Sequence, residues 1–309
     1  MSQTNVTPDE ATATAGAKAS PAAFPVTPGA ERKKRSRRRP RFTRWNVAVN
    51  VCRVVVVGGF IALWQYGSGN PKTDSHVLVD EFFVSKPTEI WDAFTGWIDE
   101  GVLLDSILIT LQETVVGFLI GATLGLITGF VLGVNPFLSA VFRPIITALN
   151  SIPRLALVPL FILWFGLGIS SKLALVATIV FFLVFYSTYE GVADVDREQL
   201  DVLRLMKAKR WQLHTKVTLP SAMTWIIAGL RVSVPYALVA AVTAEMIASN
   251  RGMGYLVVRS SGQFFTAGVF AGIFVLIAVA LALTAVVSLL ERRLLRWKPG
   301  RLGGTPGGH

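Results

Sequence analysis

One cysteine, Cys52, and three histidines, His76, His214 and His309, are all that this 309-residue chain offers for thiol or imidazole chemistry. A lone thiol closes no internal disulfide and leaves no Cys pair for a metal, so Cys52 is expected as a small buried hydrophobe. The histidines are too scattered to pair at a metal or to relay protons, and no Ser-His-Asp set gathers in one compartment. Nor is there a G-x-x-x-x-G-K-[ST] loop, whose backbone amides would cradle phosphates, so any ATP is handled by another polypeptide. The chain binds no cofactor on this reading, and enzyme chemistry has no support. Charge is scarce too, at 16% of residues.

Long uncharged runs are what the chain does have. With 52% hydrophobic residues, it carries several apolar stretches near the twenty residues that cross about 30 Å of hydrocarbon. Six spans are expected, at 46–66, 106–133, 138–165, 171–189, 221–247 and 268–290, giving an all-α polytopic membrane protein. The Gly and Pro inside them are tolerated in packed membrane helices. Gly117, Gly121, Gly125, Gly129 and Gly133 recur every four residues, a stripe that lets helix backbones approach closely. Residues 1–44 have no apolar core of a signal peptide and read as a disordered, basic cytoplasmic tail.

The formal net charge of +11 would point to nucleic acid in a soluble protein, but here its placement decides. With the N-terminus in the cytoplasm, 22 of the 30 Lys and Arg fall in the inner segments 1–45, 134–143, 190–220 and 291–309. Only Lys72, Lys86, Lys172, Arg251 and Arg259 fall outside, while Arg53, Arg154 and Arg231 lie in spans. That bias puts both termini in the cytoplasm. No nucleic-acid partner is expected; the cluster at 31–44 either touches anionic lipid or serves only as a topology signal. The expected organisation is a tail (1–44), a first span with an extracytoplasmic segment (45–105), a core (106–295) with a cytoplasmic loop at 190–220, and a second tail (296–309). Eight carboxylates sit between 67 and 105, a solvated acidic face without metal-ligand spacing. Within that segment EIWDAFTGWI forms an amphipathic surface helix, with Trp91 and Trp97 as interfacial rings.

The inner loop holds the least ordinary stretch, DVLRLMKAKRWQLHTKVTLP at 201–220. It is basic, yet apolar at helical intervals, and such a segment either lies on lipid or docks into a partner's groove. Its ending and register resemble the loop motif of ABC-importer permeases: Glu-Ala-Ala, three residues, Gly, nine residues, Ile-x-Leu-Pro. Counting back from Val217-Thr218-Leu219-Pro220 puts Asp201, Val202 and Leu203 at the Glu-Ala-Ala positions and Lys207 at the Gly. The Leu-Pro matches; the Glu, both Ala and the Gly do not. Lys in place of Gly means that the loop bends differently or that a more continuous helix is accommodated, because positive φ disfavours a Lys. SKPTEIWDAF (85–94), IPRLALVPLFILWFGLGISSK (152–172), GVADVD (191–196), AGLRVSVPYAL (228–238) and AEMIASNRGMGYLV (244–257) extend the likeness. Over about residues 45–295 the chain resembles the nitrate/taurine/aliphatic-sulfonate permeases. FFLVFYSTYEGV (181–192) departs, where related sequences commonly carry a proline and an asparagine.

The resemblance implies the type I ABC-importer permease fold, a permease homodimer, a dimer of ATPase subunits carrying ATP and Mg, and an extracytoplasmic solute-binding protein. It implies ATPase coupling through Asp201, Val202, Leu203, Lys207, Arg210, Leu213, Val217, Leu219 and Pro220, and a bacterial cell membrane location. Arg154, between Pro153 and Pro159, is a candidate pathway residue: proline frees carbonyls, and a guanidinium suits an oxyanion such as a sulfonate. The competing reading is a structural or snorkelling arginine. Glu245 is a further pathway candidate, expected either to pair with Arg251 or Arg259 or to meet the binding protein. Glu113 is expected wet, Arg53 structural, and Arg231 snorkelling to the inner leaflet. An ion-coupled carrier is the main alternative and a membrane anchor a third, though neither an inverted repeat nor several mid-span acids are evident. The substrate within the family is not legible.

Overall fold

The structure, a computed structural model, describes residues 44–69 and 79–294. It divides into two units, Met1–Arg53 and Val54–His309. In the first, the described part is the start of helix α1 (Arg44–Gly67). The expected tails, up to residue 43 and from 295 onward, lie outside the described residues, as do Lys72, Asp74 and His76.

The second unit begins with the rest of α1 and a two-residue parallel pairing of Ser68–Gly69 with Val79–Asp80. Next come α2 (Pro87–Asp99) and the 33-residue α3 (Val102–Val134). The third expected span is not one helix. It consists of α4 (Pro136–Asn150), a 3-10 turn (Arg154–Leu157) and α5 (Val158–Phe165), bent by 83°. Ser151-Ile152-Pro153 makes the break, since Pro153 can neither donate to the ladder nor leave Ile152 helical. Pro159 sits in the first turn of α5, where its missing N–H costs no helix bond. It therefore frees no carbonyl mid-helix, as a continuous span would have had it do.

Helix α6 (Ile169–Ala193) follows, then α7 (Arg197–Leu205) and α8 (Arg210–Leu213). A π-turn (His214–Thr218) joins α8 to α9 (Leu219–Ala248), after which come α10 (Met253–Gly262) and α11 (Thr266–Leu294). Among the described residues five helical segments are long and apolar enough to cross a membrane, or six with the bent pair taken as one.

The glycine stripe does what its spacing implies. It faces α6, where a Cβ on Gly117 would stand 2.6 Å from Val176 Cβ, and one on Gly129 2.7 Å from the carbonyl of Phe185. Val176, Val180 and Val184 fill that seam, and Ala237, Ala240, Ala241 and Ala244 of α9 close it from the other side. In lipid such packing replaces the hydrophobic effect as the force between helices, so the small residues permit the dispersion contact.

Helix α2 lays Ile90, Ala93 and Trp97 on Ala267 and Ala271 of α11. Trp97 thus packs inward and Trp91 alone of the two stays exposed. Cys52 is exposed on α1 rather than buried, because α1 presents nearly all of its surface outward.

Candidate functional site

The inner loop is two short helices meeting at a corner, not one continuous basic helix. Asp196 caps α7 by accepting from the Glu198 amide, and Lys207 turns the chain with φ of 57°. The Lys thus adopts the left-handed conformation that glycine takes freely, at a cost of about 1 kcal/mol. Amides of Met206, Lys207 and Ala208 close back on the carbonyls of Val202, Arg204 and Leu203, which holds the corner. Gln212 then accepts from the Lys209 amide as α8 starts.

Of the residues expected to meet a partner, Asp201 pairs with Arg204 at 2.9 Å, and Val202, Lys207 and Arg210 are exposed. Leu203 is half-buried. Leu213 is buried, and Val217, Leu219 and Pro220 sit half-buried in the π-turn and the foot of α9. The apolar groups that face outward are Leu205 (84% exposed), Met206 and Trp211 (75%). Periodicity alone counts Val202, Leu203, Leu205, Met206, Leu213 and Val217 as one apolar set and does not separate the exposed ones from the buried. The 3.6-residue period restarts at the corner, so the two stripes point different ways.

The corner is mechanically joined to the bundle. From Arg210 to Ala248 the chain is one helical column of 39 residues, π-turn included. His214 is half-buried on that column beside Phe130.

Charges inside the spans fall into two groups. Near the end of the bundle expected to face outward, Glu113 of α3 (1% exposed) receives Lys172 Nζ of α6 at 2.7 Å, and the same ammonium donates to Ser249 Oγ at 2.8 Å. Glu245 (0% exposed) accepts from Thr110 Oγ1 and from the Gly254 amide, both at 2.7 Å. Gly252 and Gly254 lie so close to that carboxyl that neither has room for a Cβ, and Gly252 turns with φ of 99°. Three expectations are corrected here. Glu113 is buried and not wet, Lys172 is not a loop residue, and Glu245 holds the α9–α10 turn rather than pairing with Arg251 or Arg259. No sequence spacing announces that four helices bring these groups together.

The second group lies on the face shared by α4, the break and α6. Arg154, half-exposed, bonds Asn150 through Nη2 and stacks 5.0 Å above the Phe182 ring. Arg143 stacks 5.5 Å from the Tyr189 ring. Neither arginine pairs with a carboxylate among the described residues. Arg231, by contrast, meets Glu291 of α11 at 3.4 Å, where snorkelling to lipid was expected. Arg53 is exposed on α1.

Residues 121–296 match the family of binding-protein-dependent transport system inner membrane components. The chain belongs to that family. It is 35% identical over 238 residues to the aliphatic sulfonates transport permease protein SsuC of Bacillus subtilis (strain 168), covering 77% of this chain and 84% of that one. It is 30% identical over 227 residues to the taurine transport system permease protein TauC of Escherichia coli (strain K12), covering 71% and 82%. The fold is shared with the inward-facing MetNI methionine ABC transporter, at a TM-score of 0.53 and 17% identity over 63% of this chain and 95% of that one. The chain is thus a membrane-embedded transport permease with the type I importer fold, and the carrier reading is not supported.

Proposed function

We propose that this permease forms the translocation pathway of an ATP-driven importer and takes a small oxyanion, of the sulfonate, taurine or nitrate kind, from an extracytoplasmic binding protein. Two copies line the pathway in a bacterial cell membrane, with both termini in the cytoplasm, where an ATPase dimer holds ATP and Mg. The core at 106–295 carries transport, and residues 1–44 and 296–309 are tails.

The observation that carries the ATPase reading is the corner at Lys207. Leu205, Met206 and Trp211 stand exposed on it, ringed by Arg204, Lys207, Lys209 and Arg210. A projecting apolar knob with a cationic rim fits an apolar groove with an acidic border, and burial of such knobs supplies most of the energy of a docking contact. Because α8 continues into α9, a shift of the corner when the ATPase dimer closes moves a helix that packs along α6. A bistable interface there switches the pathway between inward- and outward-open states.

The test is purification of the full chain from native membranes in mild detergent, with mass spectrometry of what stays bound. A stoichiometric ATPase is expected, and L205D/M206D loses it while the chain stays folded. Recovery of the double variant with its ATPase intact would defeat the docking role. Lys207→Gly keeps the bend and removes the charge, so coupled ATPase activity is expected to fall severalfold; unchanged coupling would mean that only the turn matters.

A further inference from the structure

We infer that Arg154 and Arg143 are two stations of an oxyanion track on the face between α4 and α6, with Arg154 at the break in the third span and Arg143 toward the cytoplasm. This rests on the permease reading and names the groups through which an anion leaves inward. Arg143 is not marked by the family resemblance; it is found only because α6 places a ring beneath it.

Four observations converge. Both guanidiniums stand over rings of the same helix, Arg154 5.0 Å from the Phe182 centroid and Arg143 5.5 Å from that of Tyr189. These rings are seven residues apart, two helical turns, so the stations are separated by about 10 Å along α6. Neither cation has a carboxylate partner among the described residues, whereas Lys172 and Arg231 are paired with Glu113 and Glu291. A ring beneath a guanidinium occupies its face and not its N–H edge, and a planar fork suits the two oxygens of a sulfonate.

Arg154 also retains a free donor, for its Nε is buried without a hydrogen-bond partner. The remaining polar groups on this face are neutral hydroxyls and an amide. Tyr186 Oη lies 3.5 Å from Thr147 Oγ1, Ser139 Oγ and Tyr189 Oη share a bond of 2.6 Å, and Asn150 holds Arg154 in place. Neutral donors between two cations let an anion pass without trapping it. A carboxylate there would cancel the attraction, and a third arginine would hold the anion too tightly to release.

The track also orders the exit. An oxyanion first meets Arg154, whose guanidinium is the more enclosed, and then Arg143, which is exposed. Affinity therefore falls along the route, which eases release at the inner station, while direction is set by the switch between outward- and inward-open states.

The experiment is titration of the full chain in lipid nanodiscs with methanesulfonate, followed by calorimetry in a buffer free of other sulfonates and of sulfate. Wild type is expected to bind saturably. Arg154→Gln is expected to weaken binding at least about tenfold and Arg143→Gln about threefold, as loss of a charge-assisted fork requires. Arg154→Lys, which keeps the charge and loses the fork, is expected to fall between. Arg231→Gln, whose arginine already has Glu291, is expected to bind like wild type. Melting curves on each variant separate lost binding from lost fold, and the Lys variant keeps the test alive if the Gln variant melts early. No saturable binding by wild type, or equal binding by Arg154→Gln, overturns the track; equal binding by Arg143→Gln overturns its second station. Co-purification of the ATPase is scored on the same samples. Its absence from wild type counts against the importer reading alone, and its presence without anion binding counts against the track alone.

Discussion

The outer cluster of Glu113, Lys172 and Glu245 is fully buried, the inner face with Arg154 and Arg143 is open to solvent, and the two finish their charges differently. In the outer cluster the charged groups are held by protein: Lys172 by Glu113 and Ser249, and Glu245 by Thr110 and the Gly254 amide. On the inner face the cations stand over rings, and Arg154 keeps an unpartnered Nε. A buried charge with internal partners joins helices, whereas one left without a counter-ion attracts something mobile. The outer cluster is therefore read as a fastening and the inner face as a surface for cargo.

Breaking the fastening is expected to give the largest effect. Lys172→Met leaves Glu113 buried and unpaired, a loss of about 3 kcal/mol, read as a lowered melting temperature in detergent. Adding Glu113→Gln to it is expected to recover most of that loss; no recovery would mean that the pair does not act as a unit. Glu245→Ala strands the Gly254 amide, while the Thr110 hydroxyl keeps the Ser106 carbonyl, and is expected to cost about 2 kcal/mol, with no change in methanesulfonate affinity. An affinity change there would join the two regions and blur the distinction.

On the inner face the sign of the contrast reverses. Arg154→Gln is expected to move stability by no more than about 1 kcal/mol, the worth of its stacking contact, while anion binding is lost. A large destabilisation would make Arg154 another fastening residue.

The smallest effect is expected at the outer surface, where Glu89 faces Glu81. Burial first, and then the Glu81 carboxyl, push the Glu89 carboxyl above its ordinary range. A carboxyl raised in the folded state favours folding below its unfolded pKa and loses that benefit as pH climbs through the folded value. Wild type and Glu89→Gln are thus expected to melt together in acid, with the variant pulling slightly ahead as pH rises above the carboxylate range. Parallel curves at every pH would show that the raised titration has no weight in stability.

How much was legible beforehand differs by type of feature. The spans were readable because apolar length is a property of consecutive residues, and the glycine stripe because its period is that of one helix face. The register of the loop up to Leu219-Pro220 was readable too. The break at Ser151–Pro153 was half visible, since two prolines were evident but not the 83° between the pieces. The corner at Lys207 was left open, because a lysine disfavours positive φ and only the closing hydrogen bonds around it decide that it turns.

Sequence alone determined that this chain is helical and crosses a membrane several times, and that its motifs are those of the permease family. Each follows from composition or local order along the chain. Tertiary structure alone decided which charges are matched. The pairing of Glu113 with Lys172 joins residues 59 apart in sequence, and that of Thr110 with Glu245 joins residues 135 apart. An ion pair depends on distance in space, and the helix packing that sets that distance is written in no single stretch of sequence.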